Sequence, residues 1–310
     1  MIPEAQIAPS SLDSRSAPPA TPSSLYRAEF WRLGLMLARQ LPYAFSSRLA
    51  QWLASGYCRM NPARRQVVVD NLLPPMRGNR AEAERLSREL FHQFALKLVD
   101  LWRYESGLPI GNLFSEIGGW DHFLSAQSRN RGVLLLTVHL GNWEFGAPLL
   151  TQRGVKLQVI TLAEPHAKLT ALRQGARARW GVETLAIGDD PFAAVEVIRR
   201  LEANNCVALL MDRPPAATAV TGELFGRPFA ASIAAAELAR ASGCALLPVY
   251  LPRTERGYAA HILPEICYDR AGLRELRSRV QLTQKILSAF EPNIRQYLNQ
   301  WYHFVPIWPK

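Results

Sequence analysis

The stretch Val133-Leu134-Leu135-Leu136-Thr137-Val138-His139-Leu140-Gly141-Asn142-Trp143-Glu144 governs how the rest of the chain is read. A short, nearly continuous apolar run that ends at a histidine and passes through a Gly-Asn turn into a helix start reads as a strand buried on both faces. Similar runs at Val155–Leu162, Val182–Ile187, Val207–Asp212, Ala245–Leu251 and Ala259–Ile266 predict further strands. Helical stretches of roughly ten to fifteen residues separate many of them. This alternation predicts an α/β fold: a mixed, largely parallel sheet flanked by helices on both faces.

Upstream of Gly118-Gly119 the pattern is helical. The segment from Tyr26 to Arg39 interleaves aromatic and aliphatic residues with Arg27, Arg32 and Arg39, and Pro42 breaks it. Helices are predicted at Ala44–Met60, Pro62–Leu73 and Arg80–Glu105, the last with Leu86, Leu90, Phe94, Leu98 and Leu101 at helical spacing. Residues 1–24, dense in Pro, Ser and Ala, read as a disordered tail. The remainder, 25–310, is expected to be one domain, with a helical membrane-associated part at 25–110 and an α/β catalytic part at 111–310. It closes with a helix at Ala271–Asn299 and an aromatic tail containing Trp301, Tyr302, His303, Phe304 and Trp308.

Composition narrows the classes. Of 310 residues, 48% are hydrophobic and 20% charged, which excludes a wholly disordered, collagen-like or polytopic membrane chain. The net charge is +10, and 31 of the 36 basic residues are Arg, a side chain whose planar fork suits phosphate and carboxylate. Seven Arg against Glu29 alone place +6 of that charge in residues 26–65, among Trp31, Tyr43, Phe45 and Trp52. That mixture suits helices lying in a headgroup layer. No apolar run there reaches the roughly 20 residues a spanning helix needs. Four scattered cysteines without a C-x-x-C pair give no disulfide framework or zinc knuckle, so a reducing compartment is expected. No secretory signal is visible at the start. Gly-x-Ser-x-Gly, Gly-x-Gly-x-x-Gly, a Walker loop and His-Glu-x-x-His are all absent, which weighs against serine hydrolase, dinucleotide, nucleotide triphosphatase and zinc chemistry. Of the other histidines, His92, on a helix with Leu90, Phe91 and Phe94, reads as packing or surface, and His122, His166, His261 and His303 show no partner at ligand spacing.

A histidine at the C-terminal end of a strand faces the crevice in which open α/β sheets hold their ligands. Glu144, on the first helical turn, is placed to accept a hydrogen bond from one imidazole nitrogen, leaving the other as a general base for an alcohol. The turn amides of Gly141 and Asn142 are candidate oxyanion donors. None of these residues is itself a nucleophile, so direct acyl transfer to an acceptor hydroxyl is the implied chemistry.

His139-Leu140-Gly141-Asn142-Trp143-Glu144 resembles the His-x4-Glu signature of the late acyltransferases of lipid A biosynthesis, the lauroyl/myristoyl transferase family related to glycerol-phosphate acyltransferases. The similarity runs from about residue 30 to near residue 300 and takes in Arg64-Arg65, Asn71-Leu72, Arg131–Leu134, Arg177-Ala178-Arg179, Val207–Asp212 and Leu224–Pro228. The resemblance implies that His139 is the general base and Glu144 its orienting partner. It further implies that Arg177 or Arg179 binds an acidic group and that Asp212 supports the site. No cofactor or metal is implied: the acyl donor is carried on the phosphopantetheine of acyl carrier protein, or on coenzyme A. The expected partners are acyl carrier protein, anionic membrane lipid and a lipid A precursor or other glycolipid acceptor. Nucleic acid is not expected, a monomer is, and the expected location is the cytoplasmic face of a bacterial inner membrane, held peripherally. The chain departs from the family in an early segment too interrupted by Arg to be expected to cross a bilayer, where many members have a spanning helix, and in carrying Trp301-Tyr302-His303-Phe304 where a basic stretch is usual. Relatives acylating phosphatidylinositol mannosides or amino-acid lipids share the motif. Two other readings keep part of this evidence: a thioesterase using the same dyad, and a basic membrane-binding protein without catalysis.

Overall fold

The chain begins with four helices: α1 (Ala28–Gln40), α2 (Tyr43–Met60), α3 (Pro62–Leu72) and α4 (Arg80–Glu105). A computed structural model describes residues 27–109, 113–162, 167–187 and 193–309. The expected tail at 1–24 and His166 lie outside the described residues. α4 starts where the sequence places it because Asn79 caps it, its side chain accepting from Glu82 N–H at 3.2 Å. α1 packs on α4 so closely that a Cβ on Gly34 would stand 2.4 Å from the Trp102 ring, so glycine is needed there.

Strands and helices then alternate: β1 (Phe114–Gly118), α5 (Trp120–Gln127), β2 (Val133–Thr137), α6 (Gly146–Thr151), β3 (Leu157–Leu162), α7 (Ala167–Arg179), β4 (Glu183–Ile187), α8 (Ala193–Glu202) and β5 (Cys206–Leu210). A hairpin of β6 (Ala219–Leu224) and β7 (Arg227–Ser232) precedes α9 (Ala234–Ser242). β8 (Ala245–Tyr250), β9 (Arg253–Thr254), β10 (Gly257–Ile262) and α10 (Leu276–Gln296) complete the elements. The main sheet runs β1-β10-β8-β2-β5-β3-β4, with β9 beside β10. Its pairs are parallel except β10 with β8 and with β9. The sheet is therefore mixed and largely parallel, as the alternating pattern predicts.

β2 occupies the centre, and all five of its residues are buried. Leu134 and Leu136 point to one apolar cluster, with Leu90, Leu246 and Phe290, while Val133 and Leu135 point to another, with Phe123, Leu150 and Leu247. Both faces being covered, the strand has no polar side, which is why it reads as an unbroken apolar run. Sequence periodicity does not anticipate β1, β9 or the β6-β7 hairpin. The hairpin turns through Phe225 (φ 53°) and Gly226 (φ 72°), so a non-glycine residue sits in the left-handed region at the first turn position. The last expected strand ends at Ile262, four residues early, and beyond it Leu263 N–H and Ile266 N–H still bond β8, at Pro248 O and Leu246 O.

Candidate active site

Parallel register builds the centre. Thr137 at the end of β2 pairs with Leu210 at the end of β5, so the residues two beyond each strand, His139 and Asp212, leave the sheet side by side. Asp212 Oδ1 lies 2.6 Å from His139 Nδ1, and Asp212 Oδ2 accepts from the His139 backbone N–H at 2.9 Å. The C-terminal tail adds two further donors to Oδ2: Trp301 Nε1 at 3.1 Å and His303 Nε2 at 2.9 Å. Arg213 Nε donates to His303 Nδ1 at 3.4 Å, which leaves the His303 proton on Nε2, facing Asp212. Burial alone would raise the Asp212 pKa, but His139 and His303 outweigh it and hold the carboxyl well below its usual range. An ionised Asp212 accepts, so His139 Nδ1 carries the proton and the Nε2 lone pair is left free.

That free edge opens onto an apolar cavity of about 1400 Å³ shared by His139, Trp143 and Glu144. Burial lowers the His139 pKa to about 4, with Asp212 pulling the other way, so the imidazole is neutral at pH 7. Trp143 packs edge-on against it, ring centroids 4.9 Å apart.

Three expectations are corrected here. Glu144 does not orient His139; Asp212 does. The short helical turn Trp143–Phe145 carries Glu144 toward α7, where Arg177 Nη2 donates to both its oxygens at 2.9 and 3.1 Å and Arg173 Nη2 to Oε1 at 2.6 Å. Burial would raise the Glu144 pKa, but Arg177 and Arg173 hold it well below the carboxylate range. The Gly141 and Asn142 amides are not free oxyanion donors either. Gly141 N–H donates to Gln300 O at 3.0 Å and Asn142 N–H to Leu251 O at 2.9 Å, because the turn is stitched between the tail and the end of β8. Gly141 has φ 61°, and a Cβ there would stand 2.0 Å from Leu251 O, so glycine serves the turn rather than the substrate. Asn142 is fully buried, away from the cavity wall. Third, of the two arginines only Arg177 meets an acidic group, and that group is Glu144; Arg179 donates to Glu105 O at 2.8 Å.

Sequence reading missed Trp301, His303, Arg173, Arg213 and Lys97. The neighbours of His303 in sequence offer it no partner, and the carboxylate it meets lies 91 residues away. The tail reaches it because Tyr302 N–H donates to His139 O at 2.8 Å and Leu140 bridges Trp301. Asn71 of α3 clamps the tail further on, giving its Nδ2 to His303 O at 3.0 Å and Val305 O at 2.8 Å. The aromatic residues crowded after the last helix were the available signal. Among the described residues, no group of three or more His, Cys, Asp and Glu side chains could hold a metal ion.

The chain is similar to known acyltransferases. Phosphatidylinositol mannoside acyltransferases of two Mycobacterium tuberculosis strains are each 28% identical over 216 residues, covering 67% of this chain and 66% of theirs. The protein of that name from Mycolicibacterium smegmatis is 26% identical over 190 residues, covering 61% and 60%. The chain thus spans just under two thirds of the curated relatives it matches. The family model described as bacterial lipid A biosynthesis acyltransferase matches residues 23–310. With that match running from the first helix through the tail that completes the Asp212 cluster, the chain belongs to the bacterial lipid A biosynthesis acyltransferase family.

Proposed function

We propose that this protein transfers a fatty acyl group from an acyl-thioester to a hydroxyl of a membrane glycolipid, with His139 as general base. The observation that carries the reading is the Asp212-held imidazole, its Nε2 free at the edge of a large apolar cavity. The acceptor hydroxyl donates to Nε2 and its oxygen attacks the thioester carbonyl. A C–O bond forms as the proton passes to His139, and the imidazolium is stabilised by Asp212. Collapse of the tetrahedral species breaks the C–S bond, and the proton leaves on the thiol. A thioester needs no nucleophilic side chain for this.

The family description supports a lipid A precursor as acceptor. A phosphatidylinositol mannoside-type lipid is the second reading, supported by the names of the relatives. Acyl carrier protein is the proposed donor, coenzyme A the alternative, and the arginine-rich surface suits an acidic carrier. The bilayer side is proposed to be α1 and α2, which expose Leu33, Met36, Phe45, Trp52, Leu53 and Met60 beside Arg32, Arg48 and Arg59. Among the described residues no helix is long and apolar enough to cross a membrane.

The test is acyl transfer by the full chain on vesicles containing either glycolipid, with acyl carrier protein and coenzyme A thioesters offered separately and products weighed by mass spectrometry. His139→Ala is expected to lower transfer by about 10²–10⁴ fold. Thioester loss that ignores the acceptor would make the protein a thioesterase, and a folded His139→Ala with full turnover would remove the assignment.

A further inference from the structure

The charge balance inside the cavity is incomplete. Attack on the thioester places a negative charge on the former carbonyl oxygen, and the turn amides that would meet it are committed to Gln300 O and Leu251 O. Arg173 and Arg177 are engaged with Glu144, and Arg213 with His303 and the Tyr302 carbonyl. Lys97 of α4 differs from all of these. It is only 4% exposed, lines the same cavity, and makes no hydrogen bond to any described residue. Its Nζ lies 2.8 Å from the centroid of the Trp143 ring and 5.4 Å from that of Tyr302. Trp143 is the ring packed against His139, and Tyr302 N–H holds the His139 carbonyl. Lysine therefore shares one aromatic wall with the base.

Packing does not account for it. A lysine only 4% exposed gives up most of its hydration and gains no hydrogen bond in return, whereas Met or Leu would fill the space without that penalty. Resting on an indole face offsets part of the cost and leaves the N–H donors without a partner.

We propose that Lys97 is a further catalytic residue, whose ammonium group donates to the oxyanion formed when the acceptor hydroxyl attacks the thioester. Lys97 keeps its proton throughout. The carbonyl electron pair moves to oxygen as the C–O bond forms, is held there by Lys97, and returns as the C–S bond breaks. In a water-poor cavity such a contact is stronger than at the surface, and its strength is realised only in the transition state. The charged groups that act on Lys97 are Glu144 beyond β2, Arg173 of α7 and Arg213 beyond β5, and the Phe94, Trp143 and Tyr302 rings lie against its amine. Burial holds its pKa well below the ordinary lysine range, opposed by Glu144 and reinforced by Arg173 and Arg213. Oxyanion binding favours the protonated form.

This inference rests on the acyl-transfer reading, so wild type is assayed beside Lys97→Met and Lys97→Arg. The probes are dodecanoyl- and hexadecanoyl-coenzyme A, on vesicles of bacterial glycolipid extract, with thiol release and acylated lipid both measured. Lys97→Met is expected to lower kcat by about 10²–10³ fold with KM nearly unchanged, and Lys97→Arg to recover part of the loss. Wild-type kcat should fall as pH rises through the lowered Lys97 pKa, and the methionine variant should lack that limb. Wild-type kcat in Lys97→Met overturns the proposal, as does a change confined to KM, which would mean ground-state binding. A drop in thermal midpoint in both variants, with no recovery by arginine, overturns it in favour of packing. If wild type consumes no thioester, the acyl-transfer reading fails and this inference falls with it; turnover that is equal in wild type and Lys97→Met removes Lys97 alone.

Discussion

His139 and Asp212 are 73 residues apart, and their pairing fixes which imidazole nitrogen can act. With Nδ1–H given to Asp212, Nε2 alone faces the cavity as an acceptor. Asp212→Asn should keep the shape but allow the wrong tautomer, since the amide can donate to Nδ1. Transfer is expected to drop by about 10²–10⁴ fold, measured as kcat beside circular dichroism of the folded variant. The pH dependence follows from the pKa near 4. The base works unprotonated, so kcat/KM should rise with pH through about 4. An unfolded histidine titrates near about 6.5. Between these values the unfolded chain binds the extra proton, so His139 makes stability fall as pH drops through that window.

At the scale of elements, Glu144 joins the turn after β2 to α7. Its side chain is 10% exposed and those of Arg177 and Arg173 are 8% and 15%, so the three form a largely desolvated ion cluster. Removing the carboxylate that Arg173 and Arg177 share strips both buried guanidinium groups of that partner at once. Glu144→Ala is therefore expected to destabilise the protein by about 3–5 kcal/mol, read in chemical denaturation. Glu144→Gln, which keeps acceptor capacity, should lose less. If instead the alanine variant were as stable as wild type and had lost only turnover, Glu144 would have a chemical role that its contacts do not show. The tail is the other decisive element. It supplies Trp301 and His303 to Asp212 and is clamped by Asn71, so α3, the tail and the ends of β2 and β5 form one hydrogen-bonded assembly.

Over the whole molecule, apolar exposure is uneven. Trp52 is 71% exposed and Met60 78%, with Phe45 and Leu53 each at 55%, all on α2. Large apolar side chains on a water-facing surface indicate a binding face, and here they lie among arginines. The proposed bilayer contact predicts that Trp52→Ser with Leu53→Ser and Met60→Ser weakens binding to anionic vesicles about tenfold or more, measured by flotation. Each buried side chain of that kind is worth about 1.5–3 kcal/mol when fully transferred. Raising the salt should weaken wild-type binding as well, because each arginine near an anionic surface adds up to about 1 kcal/mol of screened attraction. Unchanged binding in the triple variant would move the contact elsewhere.

The sequence by itself determined the order of most strands and helices, the central buried strand, and the place of His139 at its end. These depend on local signals: apolar period, a Gly-Asn turn, Pro and Asn at helix starts. The short β1 and the β6-β7 hairpin escaped because neither carries an apolar run that periodicity can detect. Within the site, the local residues were legible and their partnerships were not. Glu144, five residues from His139, was the nearest carboxylate in sequence, yet the turn between them points it at α7. Asp212 reaches the histidine through parallel register between β2 and β5, and His303 through a tail that folds back across the chain. Hydrogen bonds form between groups that are close in space, and for residues separated by 73 and 91 positions only the tertiary fold sets that distance.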